Sequence, residues 1–299
     1  MLELYAAQNS ICARKVSLRG KAMLQLYTAR NSICTQKVFI TLDEKKLDYE
    51  MKVINLFLNE QYSPEYLKIN PKGVVPTLIH DRRPIVESTL ICEYVDDIHP
   101  QPSLVPEDPY LRARMRLWSK QVDEAIFEAT REISFSAMFR EKLRAMTPEQ
   151  RETRFRNVGD PERRARYVST YELGVDSPYV FQAIGHFEKA LKSMESALST
   201  NDGSGGPWLT GQQYCLADIN MTPYLARLEY LNLLDLWLKG RPATGDWWRR
   251  IKERASFHVI DKRLTDEEKD EMRQYGSRIR DRVAERLREY LDPAKPGQH

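Results

Sequence analysis

The chain has 299 residues, 41% of them apolar and 30% charged, with 46 basic side chains set against 43 acidic ones. That near balance gives no argument for nucleic acid or an anionic membrane as partner, and no stretch approaches the roughly 20 apolar residues of a membrane-spanning helix. The length suits about two domains of roughly 100–200 residues, large enough to bury cores without disulfides or metals.

The first feature in chain order is a repeat. Residues 1–16 (MLELYAAQNSICARKV) and 23–38 (MLQLYTARNSICTQKV) agree at eleven of sixteen positions, 22 residues apart. Two copies are too few for a stacked repeat array. Only the second copy runs on into a helix-and-strand pattern, so residues 1–22 read as a duplicated leader outside the fold, with a swapped or edge strand as the alternative. From Met23 the pattern is strand, helix, strand, then a short helix near Ser63–Ile69. Strands at Val75–His80 and Pro84–Glu87 and a helix over Ser88–Ile98 follow. A βαβ unit, a hairpin and a closing helix make a small α/β sheet of the thioredoxin type over 23–98.

The proline-rich segment 99–107 reads as a linker. Everything from 108 to 299 is helical in style, with apolar residues at three- and four-residue intervals. The charged stretch 140–166 reads as a solvated insertion, and 201–208 (NDGSGGPW) as a flexible interruption. Thr265-Asp266-Glu267-Glu268 forms a capping box. It opens a charged helix over 266–290, with a lid or a dimer arm as its expected role.

The four cysteines (Cys12, Cys34, Cys92, Cys215) are far apart and form no CxxC pair, so neither a disulfide framework nor a zinc site is indicated. The N-terminus lacks the features of a signal peptide, and the expected setting is cytoplasmic. The histidines make no metal or triad spacing. Pro76 opens a strand, where proline needs a special reason. Glu87 and Ser88 stand at a strand-to-helix junction, where free N–H groups suit an anion. Taken alone, Ser88 is equally a helix cap and Glu87 a first-turn charge. Ser32 opens the first helix, as a cap or as a hydroxyl aimed at a ligand. Cys34 follows two residues later, either a reactive thiol favoured by the helix N-terminus or a small buried residue.

Four segments together resemble the cytosolic glutathione transferase superfamily: NSICTQKV (31–38), NPKGVVPTL (70–78), VESTLICEYVDD (86–97) and QQYCLADINMTPYLARLEYL (212–231). The likeness is strongest to bacterial members acting on aromatic compounds, namely β-aryl-ether cleaving enzymes and tetrachlorohydroquinone reductive dehalogenases. It implies an α/β thioredoxin-like N-terminal domain followed by an all-α helical bundle. It also implies glutathione as co-substrate, no metal, a homodimer, and attack of the glutathione thiol on a hydrophobic electrophile.

Residue by residue, the resemblance implies a cis Val75–Pro76 bond, with the Val75 backbone pairing the glutathione cysteine. Glu87 would accept from the γ-glutamyl ammonium, and Ser88 would donate to its carboxylate. Lys72 would reach the glycine carboxylate. Ser32 would activate the thiol. Cys34 would form a mixed disulfide if the chain is instead a reductive, thiol-exchange enzyme. A third reading is a binding protein that keeps the fold without turnover. The second-substrate pocket is expected among Trp118, Phe127, Phe135, Met138 and Phe139, with Trp118, Phe135 and Met138 favoured. Cys215 replaces the family's Ser or Thr in the cap before Asp218, which weakens one half of that box because a thiol is a poor acceptor. Cys92 and Cys215 are expected in the core.

Overall fold

The structure is a computed structural model and describes residues 24–292, apart from residue 30 and residues 200–205. The expected leader, residues 1–22, and most of the expected flexible segment at 201–208 lie outside the described residues.

Strand β1 (Leu24–Thr28) alternates buried and half-buried side chains, the period of a strand with one covered face. It is followed by α1 (Ile33–Glu44) and β2 (Tyr49–Val53), and β1 and β2 pair in parallel with Leu24 opposite Tyr49. After the short helix α2 (Pro64–Leu67), strands β3 (Thr77–His80) and β4 (Arg83–Val86) form a hairpin, and the sheet order is β2-β1-β3-β4. The hairpin turns on Asp81 and Arg82, both at positive φ (48° and 64°), as a two-residue turn matching strand twist requires. Pro84 is tolerated because β4 is an edge strand. Helix α3 (Ser88–Ile98) closes the unit against α1. Val75 and Pro76, expected inside β3, lie just ahead of it.

The linker is bolted down. Lys45, at the end of α1, pairs with Asp96 and donates to the His99 carbonyl at 2.7 Å. Asp96 in turn accepts from the Leu104 N–H at 2.7 Å, and the Leu104 carbonyl accepts from Leu216 N–H at 2.9 Å.

The helical half opens with one long run: α4 (Pro109–Gln121), a π turn (Val122–Ile126), α5 (Phe127–Ser134), a second π turn (Phe135–Phe139) and α6 (Arg140–Arg144). Helices α7 (Pro148–Arg156) and α8 (Pro161–Leu173) lead to α9 (Pro178–Ser199). Helix α10 (Leu216–Tyr230) is buried along nearly its whole length and packs on α1. Three further helices, α11 (Asp235–Leu238), α12 (Pro242–Glu253) and α13 (Ala255–Asp261), precede α14 (Asp266–Leu291). The arrangement is a mixed α/β sheet domain followed by an all-α bundle. Among the described residues no helix is long and apolar enough to cross a membrane.

Asp218 caps α10 as expected, accepting from Cys215 N–H at 3.1 Å, Leu209 N–H at 3.0 Å and the Trp247 indole at 2.8 Å. Burial pushes its carboxyl up to about 6, against the pull of those donors. The Cys215 sulfur is engaged by the Thr210 hydroxyl at 3.2 Å. Cys92 and Cys215 are fully buried, as expected.

The stretch 140–166, expected as a solvated insertion, is helical: it folds into α6, α7 and the start of α8, with Thr147 and Gln150 forming a capping box and Asp160 capping α8. Arg140 donates to the Tyr171 and Glu172 carbonyls at 2.8 and 2.9 Å, neutralising the C-terminal end of α8, and Leu143 is buried. The remaining residues of the stretch are exposed or half-buried. Helix α14 lies along α9 and α10, burying Met272, Gly276, Val283 and Leu287.

Gly276 is the point of closest approach, where a Cβ would stand 1.8 Å from the Leu231 carbonyl oxygen. Gly276→Ala must therefore push α14 off α10. A loss of about 1–3 kcal/mol is expected, read as a lower urea midpoint; an unchanged midpoint would show that α14 is not held by this contact.

Candidate functional site

Two helix N-termini converge at the sheet's edge. At the first, Ser32 caps α1: its Oγ accepts from Thr35 N–H at 3.3 Å, and the loop before it is held by Ser32 N–H to the Ala29 carbonyl at 3.1 Å. Capping uses a lone pair and leaves the hydroxyl proton free to donate. The cap and donor readings of Ser32 are therefore compatible.

At the second, Glu87 precedes α3 with φ 68° and ψ 114°, a conformation that costs a non-glycine residue on the order of 1–3 kcal/mol. The bend directs the chain into Ser88, which is buried at the first turn of α3. Lys72 Nζ meets Glu87 Oε1 at 2.6 Å, and both side chains are exposed. Solvent screens the attraction between them.

Between the two N-termini runs the bend 70–76. Val75–Pro76 is a cis bond, as expected. The Val74 carbonyl accepts from Tyr66 Oη at 2.6 Å and Asn70 Nδ2 at 2.8 Å, and the same amide reaches Thr77 Oγ1 at 2.9 Å. Gly73 sits at φ 59° under the Tyr62 ring, where a Cβ would come within 2.8 Å. The Val75 N–H and carbonyl find no backbone partner among the described residues, leaving a short open edge.

Cys34 is half-buried on the inner side of this cluster. Its Sγ lies 3.9 Å from Tyr224 Oη. Burial pushes the thiol up, outweighing the pull of Lys37, Tyr224 and Ser88. Loss of water and the helix N-terminus thus act on this thiol in opposite directions. Burial also holds the Tyr224 phenol well above its ordinary range, so it stays protonated and can donate.

The expected pocket residues sit deeper in the bundle. Trp118, Phe135 and Met138 are buried. Trp118 borders a surface cleft with Arg114, Leu117 and Gln121. Phe135 stacks on Tyr167 at 4.8 Å and tilts against Phe139 at 6.2 Å. The half-buried Phe127 lies under Arg131, 5.9 Å away. No hydrogen bond or ring contact joins these residues to Ser32 or Cys34 among the described residues.

Sequence reasoning missed five residues at this site. Lys37, fully buried in α1, donates to Thr89 Oγ1 at 2.8 Å and pairs with Asp123 at 3.1 Å. Tyr224 and Arg227 reach the α1 N-terminus from α10. The available signal was polarity out of place: a lone lysine in CTQKVFITL, and an arginine in the buried stretch of α10. Among the described residues no group of three or more His, Cys, Asp or Glu could hold a metal ion.

Residues 26–103 match the family model described as glutathione S-transferase, N-terminal domain. The chain is 36% identical over 187 residues to Protein LigF of Sphingobium sp. strain SYK-6, covering 60% of this chain and 68% of that protein. It is 27% identical over 230 residues to the tetrachloro-p-hydroquinone reductive dehalogenase of Sphingobium chlorophenolicum, covering 74% and 88%. Its fold is similar to the crystal structure of the β-etherase LigF, with TM-score 0.68, 28% identity and coverage of 81% of this chain and all of that one. Glutathione transferase F7 of Populus trichocarpa aligns at TM-score 0.63 and 25% identity, over 81% of this chain and all of its own. On sequence and fold together, the chain belongs to the glutathione S-transferase superfamily.

Proposed function

We propose that this glutathione transferase lays the tripeptide across the open Val75 edge and uses Ser32 to activate its thiol for attack on an aromatic electrophile. The carrying observation is that unpaired edge, bracketed by the N-termini of α1 and α3. An extended peptide pairs with such an edge through its backbone. The free amides and partial positive charge at each helix start favour an anion.

In this reading Ser88, with its hydroxyl and the α3 amides, takes the γ-glutamyl carboxylate, and Glu87 its ammonium. Lys72 takes the glycine carboxylate once released from Glu87. The Ser32 hydroxyl donates to the sulfur. A free thiol titrates near 8.5, so about two units of stabilisation make it mostly thiolate at neutral pH. The thiolate then forms a C–S bond to the electrophilic carbon, and an aryl oxide or halide leaves with its electron pair. The relatives described as a β-etherase and a tetrachloro-p-hydroquinone reductive dehalogenase support an aromatic partner. The buried apolar character of Trp118, Phe135 and Met138 supports them as the wall behind it. The homodimer belongs to the same proposal, supported by Leu90, Tyr110 and Leu117, which stand exposed on α3 and α4.

A second reading assigns the chemistry to Cys34. Its sulfur would attack the sulfur of a glutathione–aryl adduct, the aryl carbon would leave with the electron pair and take a proton, and a second glutathione would reduce the mixed disulfide. Tyr224, whose hydroxyl has Cys34 as its partner, favours this reading; the raised thiol disfavours it.

Ser32→Ala is expected to lower kcat about a hundredfold with little change in glutathione affinity; full activity would remove Ser32 from the mechanism. Ser88→Ala is expected to weaken glutathione binding about tenfold by calorimetry. Absence of binding to the unaltered protein would instead favour the fold without turnover. Because thiolate is the reactive form and Cys34 is raised, its alkylation by iodoacetamide, with Cys34→Ser as control, should keep accelerating beyond about pH 8.5. A rate that levels off near neutrality would move the chemistry to Cys34.

A further inference from the structure

Three basic side chains are buried among the described residues: Lys37, Lys45 and Arg227, at 0%, 5% and 4% exposure. Two of them have a carboxylate, Asp123 for Lys37 and Asp96 for Lys45. Arg227 has none. Its Nη2 donates to the Asn31 side-chain oxygen and, at 3.4 Å, to the Asn31 carbonyl, both neutral acceptors. Tyr230, three residues along α10, has its hydroxyl committed to Asp261 of α13 at 2.9 Å. Facing the same stretch of α1 are Cys34 and Tyr224, which bond to each other, and the Lys37–Asp123 pair.

A buried cation without a counter-ion is costly and is tolerated where something else supplies the negative charge. Burial draws the Arg227 guanidinium down to about 10, so it remains charged at neutral pH. Its single anchor, Asn31, immediately precedes Ser32. The uncompensated charge therefore stands directly behind the helix start where an anion is expected, with the same sign as that helix's own dipole.

We infer that Arg227 is a positioning residue whose charge, presented through Asn31, completes an ion pair with the thiolate of bound glutathione. This rests on the reading that glutathione binds with its sulfur at Ser32. On binding, the thiol gives its proton to water, and the sulfur anion becomes the counter-charge that Arg227 lacks among the described residues. The helical half thus tunes the reactivity of a thiol bound by the sheet half.

The test is the thiol pKa of glutathione bound to the full-length protein, titrated by thiolate ultraviolet absorbance at saturating glutathione. Asn31→Asp keeps the anchor and gives Arg227 an internal counter-ion. It is expected to raise the bound thiol by about one unit, roughly a tenfold loss of thiolate at neutral pH. Arg227→Met should do the same, while Arg227→Lys should stay within about threefold of the unaltered protein. A clamp without an electrostatic role predicts that Arg227→Met loosens the loop without moving the thiol pKa, so an unchanged or lowered thiol pKa in that variant overturns the inference. Should Arg227→Met fail to fold, Arg227→Gln, which keeps a donor for Asn31 without the charge, decides in its place. Failure of the unaltered protein to bind glutathione overturns the site reading together with this inference, whereas binding with a thiol insensitive to the Arg227 charge overturns only the inference.

Discussion

Lys37 is out of contact with water, and its ammonium is shared between the Thr89 hydroxyl at 2.8 Å and Asp123 at 3.1 Å. Those three residues lie on α1, α3 and the first π turn of the helical half, so one buried charge fixes the mutual position of three elements. Removing Asp123 leaves the buried Lys37 ammonium without its counter-charge. The start of α1 and the start of α3 are both set by this arrangement. So is the distance from Cys34 to Ser88, because Lys37 lies one turn along α1 from the cysteine.

Around that hub the two halves meet through side chains that α1 and the β1–α1 loop present to the bundle. Tyr224 touches Cys34, Arg227 holds Asn31, and Arg254 forms a two-pronged pair with Glu44 at 2.9 and 2.8 Å. Arg263 lies over the Phe39 ring at 3.7 Å and donates to Tyr49 Oη at 2.7 Å. The sheet domain therefore provides the peptide-like edge, while the bundle provides much of the charge and hydroxyl chemistry behind it. Ser32 and Cys34 are two residues apart yet differ in kind. The serine is at the mouth with a free proton, whereas the cysteine is turned inward, where burial keeps its sulfur neutral.

What could be read without coordinates was whatever is written locally. Alternation in LQLYT marked β1 and Glu87-Ser88 marked the start of α3, while the cis bond at Pro76 came from the resemblance of NPKGVVPTL to the family. The cap at Ser32 and the capping box at Thr265 are equally local. What could not be read depends on distant partners. Cys34 and Tyr224 are 190 residues apart, Asn31 and Arg227 are 196 apart, and Lys37 and Asp123 are 86 apart. The surroundings of the Cys34 thiol are of the same kind: its helix position is local, but its hydroxyl partner comes from α10. The helices inside 140–166 were legible and overlooked, since Thr147-Pro148 and Asp160-Pro161 are ordinary cap-and-proline starts.

The two π turns at Val122–Ile126 and Phe135–Phe139 carry a consequence for how this helix reads as a lineage of insertions. A π turn accommodates one extra residue in an otherwise regular helix, so the surplus residue is absorbed within one turn and the rod beyond it keeps its orientation. Excising a single residue from the first turn would tighten it to plain α-helix and leave Arg131 over Tyr167. Loops are usually where homologues tolerate length change; here a rigid rod can do so, with the aromatic face of the bundle and the glutathione half both kept in register.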